Sequence, residues 1–302
     1  MKKRFNVILS IILSVLCLTI GNTRVFADSG VTLSPMNVRI TLTPGETYEG
    51  SFTISNPAKN DEQYNYKTSV SPFFVDDKYD VYFGASENYG QIADWITIKE
   101  STGAIEPNDT LKVHYTINVP SDAPGGGQYA AIHVGSVPSG ATSDGGVNLE
   151  VTYGVAYIIY AEVLGSINRS GEIVSADVPS FLFSGNLIAN SSIKNTGNVH
   201  GTAKYTMQIF PVFSNEEVYT NEEAASTMTI LPGRTYYHED TWQDTPAIGL
   251  FNVIYTVEFD GATQQIKKLV IICPIWLLFI IILVIVALII WIVIRIRSRK
   301  KA

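Results

Sequence analysis

The side chains that could do chemistry are few and scattered. The four histidines, His114, His133, His200 and His238, fall on separate stretches, and none has the HExxH or paired Cys/His spacing of a zinc site. His133 alternates with Ala131 and reads as a satisfied core or edge residue. The sequence holds no GxSxG elbow, no candidate cysteine nucleophile and no P-loop. Asp28-Ser29-Gly30 has the composition of an aspartic protease triplet, but that chemistry needs two carboxylates and the triplet has no second copy. The expectation is a protein that is not an enzyme and carries no cofactor.

Three weaker signals point to binding. Asp76, Asp77 and Asp80, in FFVDDKYDVYFG, offer hard oxygen ligands of the kind calcium takes. They lack the fixed glycine and terminal bidentate glutamate of an EF-hand loop, so a solvated turn is the competing account. Tyr64, Tyr66, Tyr79, Tyr82 and Tyr89 crowd one region, and a flat apolar ring with a polar tip suits glycan and protein contacts. In DAPGGGQYAAIHV, Asp122 and Tyr129 are spaced as in the tyrosine corner of an immunoglobulin sandwich, with Ala131 at the cysteine position.

The elements that must position these residues are strands. In DTLKVHYTINVP, Leu111, Val113, Tyr115, Ile117 and Val119 alternate with Thr110, Lys112, His114, Thr116 and Asn118, giving one dry and one wet face. Tyr48, Phe52 and Ile54 follow the same period in TYEGSFTIS. Pro44-Gly45, Asn56-Pro57, Pro107-Asn108 and the run Pro124 to Gly127 punctuate the strands as turns. The rhythm then restarts. LIANSSIKN followed by Thr196-Gly197-Asn198 echoes FTISNP, LPGRTYYHEDTW echoes IEPNDTLKVHYT, and DTPAIGLFNVIYTVEF echoes DAPGGGQYAAIHV with Phe251 in the place of Tyr129. Two divergent copies of one sandwich are expected, residues 28–165 and 166–270.

Both ends of the chain are apolar. Residues 274–294 carry no charge and are long enough to cross a bilayer core of about 30 Å. Trp276 and Trp291 lie near the ends of that stretch, and the basic tail 295–302 follows, which places the C-terminus in the cytoplasm and the N-terminal part outside. Residues 1–27 pair Lys2, Lys3 and Arg4 with an apolar run and end in Val25-Phe26-Ala27, the pattern of a cleaved signal peptide. Residues 28–268 hold all 28 acidic side chains against 12 basic ones, a net charge of −16 that excludes nucleic acid as a partner. Of the two cysteines, Cys17 lies in the signal segment and Cys273 at the membrane boundary. A cysteine-free exterior domain pair points to a single-membrane bacterium and to stability from packed cores.

These stretches carry a resemblance. VTLSPMNVRITLTPGETYEGSFTISNP, then DWITI, then VPSDAPGGGQYAAIHV, followed by a second sandwich, an apolar helix and a basic tail, are similar to the WxL-interacting surface protein family of Gram-positive bacteria. The resemblance covers most of the first domain and the layout of the whole. It implies an all-β ectodomain of two immunoglobulin-like β-sandwiches followed by a single transmembrane α-helix, with peptidoglycan or cell-wall-associated proteins as partners. The function expected is a membrane-anchored binding or scaffold protein. The alternative is an assembly chaperone or accessory subunit that acts by strand-edge pairing.

Residues 28–268, produced alone, are expected to give a β-type circular dichroism spectrum and a melting temperature indifferent to reductant. A helical spectrum, or a melting temperature that falls with reductant, contradicts the reading.

Overall fold

Alternation becomes sheet. A computed structural model describes residues 30–57, 62–76, 78–84, 91–137, 152–214, 216–221 and 227–299; the expected signal peptide, Asp77, Tyr89 and the last three tail residues lie outside these. The first sandwich contains β1 (Thr32–Ser34), β2 (Asn37–Leu42), β3 (Thr47–Ser55), β4 (Tyr64–Val75), β5 (Val81–Phe83), a single helical turn α1 (Ile92–Trp95), β6 (Ile96–Ile98), β7 (Thr102–Ile105), β8 (Thr110–Asn118), β9 (Gly126–Ser136) and β10 (Thr152–Val163). One sheet runs β1-β3-β8-β6. The other runs β2-β10-β9-β4-β5, with β7 also paired to β4. Val113, Tyr115 and Ile117 of β8 lie beside Phe52 and Ile54 of the adjacent β3 on one inner face, and Phe52 stacks on Tyr157 of the other sheet at 4.6 Å in the core between the sheets. Each such fully buried side chain contributes about 1.5–3 kcal/mol.

The second sandwich contains β11 (Gly171–Asp177), β12 (Phe181–Leu182), β13 (Leu187–Asn195), β14 (Gly201–Pro211), β15 (Tyr219–Thr220), β16 (Thr227–Ile230), β17 (Thr235–Trp242), β18 (Gly249–Phe259) and β19 (Ala262–Ile272). Its sheets run β11-β13-β17 and β12-β19-β18-β14-β15, with β16 on β14. The helix α2 (Ile275–Arg299) leaves β19 after two residues, and its segment Ile275–Ile296 is long and apolar enough to cross a membrane.

The two sandwiches share their wiring. In each, a first strand lies in one sheet and a second crosses to the other, pairing parallel with the domain's last strand: β2 with β10, and β12 with β19. A buried asparagine ends the equivalent third strand of each. Asn56 donates through Nδ2 to the carbonyls of Ile105 (3.0 Å) and Glu62 (3.1 Å), while Asn195 donates to those of Ile230 and Val199, both at 2.8 Å. Their backbone N–H groups donate to Asp109 and Arg234, which occupy matching positions in IEPNDT and ILPGRT. The left-handed residue of that turn is Asn108 (φ 63°) in one copy and Gly233 (φ 72°) in the other, residue types that tolerate the conformation.

The echo misleads at one point. Phe251 does not stand where Tyr129 stands. Phe251 points into the core of the second sandwich beside Trp242, whereas Tyr129 points out of the first, away from the buried Ala130 and Ile132. Each aromatic ring folds back over the glycine two residues before it, Gly249 or Gly127, where an added Cβ would clash. The local device is shared, and a shift of one residue turns it to the opposite face.

Asn195→Ala leaves two buried carbonyls without their side-chain donor, and each unsatisfied group costs about 1–3 kcal/mol. Urea unfolding is expected to show a matching loss confined to the second sandwich, and Asn56→Ala the same loss confined to the first.

Candidate functional site

Every residue of β9 from Gly126 to Gly135 is buried, although an antiparallel sandwich strand ordinarily wets one face. The lower half of the outer face is covered by the second sandwich. Phe73, Val75, Tyr129 and Ala131 pack with Leu231 from the turn between β16 and β17, and Ile158 and Tyr160 border them. The upper half is lined by Ser69, Ser71, His133, Gly154 and Ala156, and Phe83 of β5 stands over it beside Gly84. Together they form a groove of about 660 Å³.

The β4–β5 hairpin holds the junction. Oδ1 of Asp76 accepts the N–H groups of Lys78 (2.8 Å) and Asp80 (2.9 Å), and the Asp76 N–H donates to the Asp80 carbonyl (3.1 Å). Desolvation works against the Asp76 charge, and the Asp80 and Lys78 amides outweigh it, holding the carboxyl below its ordinary value. This turn keeps Tyr79 at φ 66°, a backbone region that bulky residues rarely enter. The Tyr79 side chain thereby reaches across the junction. Its hydroxyl accepts the Leu231 N–H at 3.1 Å, and its ring meets Tyr236 edge-on at 4.7 Å. Burial pushes the Tyr79 hydroxyl well above the usual phenol value.

A second set of contacts closes the junction from the linker side. Arg39 of β2 donates to the hydroxyls of Thr202 (3.1 Å) and Thr229. Gly127 N–H donates to the Asn198 carbonyl at 2.8 Å, and Asn198 Nδ2 donates to the Ser166 carbonyl at 2.7 Å. His200 lies between Tyr129 and Tyr160, with Nδ1 3.4 Å from the Tyr129 hydroxyl. Burial, reinforced by Arg39, pushes the imidazole down to about 4; Glu162 acts the other way, and Arg169 adds to the lowering.

At the floor of the groove, Ser71 Oγ lies 2.7 Å from His133 Nε2, and Phe83 meets the imidazole edge-on at 4.5 Å. Burial lowers the His133 pKa, so the ring is neutral near pH 7. The open border is β10. β2 pairs with it only from Ile158 to Val163, so Gly154 to Tyr157 have no strand partner on that side among the described residues. Ile158 N–H donates to the Met36 carbonyl and Leu164 N–H to Leu42, so the even-numbered amides turn toward β2. By that alternation Ala156 presents its N–H and carbonyl to the open edge.

These positions revise the sequence reading. Tyr129 is no tyrosine corner: it and Ala131 face the junction, whereas the corner and cysteine positions of an immunoglobulin strand face the core between the sheets. The four described tyrosines of the expected set form no common face. Tyr66 is buried in the first core and Tyr64 borders it, Tyr79 serves the junction, and of these four only Tyr82 is well exposed, stacked on Phe74. Asp76 is committed to its turn, and no group of three or more His, Cys, Asp or Glu among the described residues is placed to hold a metal. His114 bonds Glu100 on the opposite sheet's outer face, and His238 stacks on Tyr205 at 3.8 Å in the second sandwich. Ser69, Ser71, Phe83, Gly154 and Ala156 went unnoticed in the sequence. Their only signal there was small polar residues alternating on a strand, as in TSVSPFF.

No protein-family model matches the sequence, and no curated protein matches it. Among solved structures, the chain is similar to the class 5 fimbriae chaperone CfaA at 12% identity and a TM-score of 0.39, covering 79% of this chain and 98% of that one. It is also similar to the Escherichia coli chaperone DraB (12% identity, TM-score 0.35, 79% and 96% covered) and the Pseudomonas aeruginosa CupB2 chaperone (10% identity, TM-score 0.35, 78% and 99% covered). At these values the likeness says nothing of what this chain binds.

The junction predicts a pH response. Because the folded pKa of His200 lies below the unfolded value near 6.5, its contribution is intact above pH 6.5 and is lost as pH falls toward about 4. Fluorescence transfer between probes on the two sandwiches is expected to fall across that window, and His200→Gln to flatten the response. A flat wild-type profile contradicts the assignment.

Proposed function

We propose that this chain is a membrane-anchored, non-catalytic binding protein whose first sandwich holds an extended segment of a partner protein along the groove. The observation that carries the reading is the stretch of β10 beside that groove that has no second strand partner among the described residues. A peptide added there as a strand would gain main-chain hydrogen bonds at Ala156, and its alternate side chains would enter the space over Ser69, Ser71 and His133. This is the action of an assembly or accessory subunit. α2 would supply the anchor, with Arg295, Arg297 and Arg299 on the cytoplasmic side and both sandwiches outside. A cell-wall-associated protein of the WxL type is the partner that the sequence resemblance supports.

A second reading rests on Phe83. Its half-exposed ring beside serine hydroxyls and an imidazole is also a way to hold a sugar, which would make peptidoglycan the ligand.

Ser69→Trp fills the groove without entering either sandwich core. Wild-type protein is expected to retain purified wall-associated proteins, and Ser69→Trp to lose them with its melting temperature unchanged. Sedimentation with purified peptidoglycan that is abolished by the same substitution selects the second reading. Retention of neither, or retention indifferent to Ser69→Trp, removes the groove as the site.

A further inference from the structure

Most of the exposed apolar side chains of the second sandwich gather at one end, Val174 of β11 and Tyr237 of β17 being exceptions. Phe181 and Leu250 flank Ile271 in register across β12, β19 and β18, forming one apolar row on the outer face. Phe183 follows in the loop after β12, Ile248 lies in the loop before β18, and Phe213, 91% exposed, tips the loop after β14. All three loops sit at the end of the sandwich from which α2 departs. Cys273 N–H donates to the Leu182 carbonyl at 2.9 Å, Val212 N–H to the Leu250 carbonyl at 3.0 Å, and Gly249 pairs with Ile272. Pro274 begins the turn into the helix, with Trp276 in the first turn. Phe183, Ala247 and Trp276 line a cleft of about 560 Å³ between the loops and the helix base.

We propose that this end is a lipid-binding seat, its loop tips inserted among the headgroups and upper acyl chains of the bilayer that α2 crosses. The argument is continuity. An apolar ring around the root of an apolar helix, with no intervening stalk, lies at the depth where aromatic side chains prefer the membrane boundary. The three loops contain no Lys or Arg, and Asp244, Glu216 and Glu217 are their only charges, so apolar burial drives the contact and anionic lipid is not required. Seating the base sets the tilt of the second sandwich. Through the junction, it also sets the direction in which the groove opens.

The inference rests on the membrane-spanning reading of α2, and one experiment separates the two. The full chain, in a Cys17→Ser, Cys273→Ser background, is reconstituted in zwitterionic phosphatidylcholine nanodiscs. It carries a nitroxide at Phe183→Cys, Phe213→Cys, Ile285→Cys in the helix, or Thr53→Cys on the first sandwich. Accessibility to oxygen, which concentrates in lipid, is compared with that to a water-soluble nickel complex. Positions 183 and 213 are expected to shift several-fold toward oxygen relative to position 53. If they match position 53 while 285 reads as lipid, the seat fails and the span stands. If 285 also reads as water, both fail. Protection of 183 and 213 from both reagents means that protein covers the loops, which overturns the lipid seat.

Discussion

The contact of Leu231 and Tyr79 across the domain junction is the constraint on which the rest of the structure depends. It turns the outer face of one sheet into a third core, so β9 must be dry on both faces. Domain contacts within a chain are usually polar and permit relative motion. This one joins an apolar patch to hydrogen bonds at Tyr79, Arg39 and Gly127, and both loops that make it are held by their own turns. The groove exists because the cover stops halfway up the sheet.

The two sandwiches share the wiring from which such a junction is built. The Asn56 and Asn195 clamps and the left-handed turns at Asn108 and Gly233 keep the two copies alike where each closes its own sandwich. They part company at β9 and β18, which take the same glycine-then-aromatic device and aim it at opposite faces. In β18 the ring fills a core. In β9 it becomes the surface on which the second copy rests.

The described residues thus run in order from the apolar helix α2 to the second sandwich, the junction and the groove. Their ionisable groups follow that order. Most carboxylates remain on solvated surfaces or in turns such as that of Asp76, Asp240 on β17 being buried against Asn221 and His238, while the histidines with a lowered pKa, His200 and His133, sit at the junction and beneath the groove. Burial rather than a neighbouring positive charge is the leading cause at both histidines, as expected where apolar packing brings them together.

The sequence by itself determined the class of structure. Period-two alternation with turn residues between runs is a local property, legible in Leu111 to Val119 or Tyr48 to Ile54, and it gave strands, sandwiches and their duplication. A stretch of about twenty apolar residues announces a helix long and apolar enough to span a membrane for the same reason, because length and hydropathy are local. The site was not legible. Ser69, His133, Ala156 and Phe83 come from four strands, and their meeting depends on register, on where β2 stops beside β10, and on which face of β9 the second sandwich covers. Tyr129 shows the limit most plainly. Its neighbours in sequence suggested a corner of the inner core, but alternation gives the period of burial without saying which phase is inside. That choice was made by tertiary packing, when Leu231 from a hundred residues further along the chain came to lie against it.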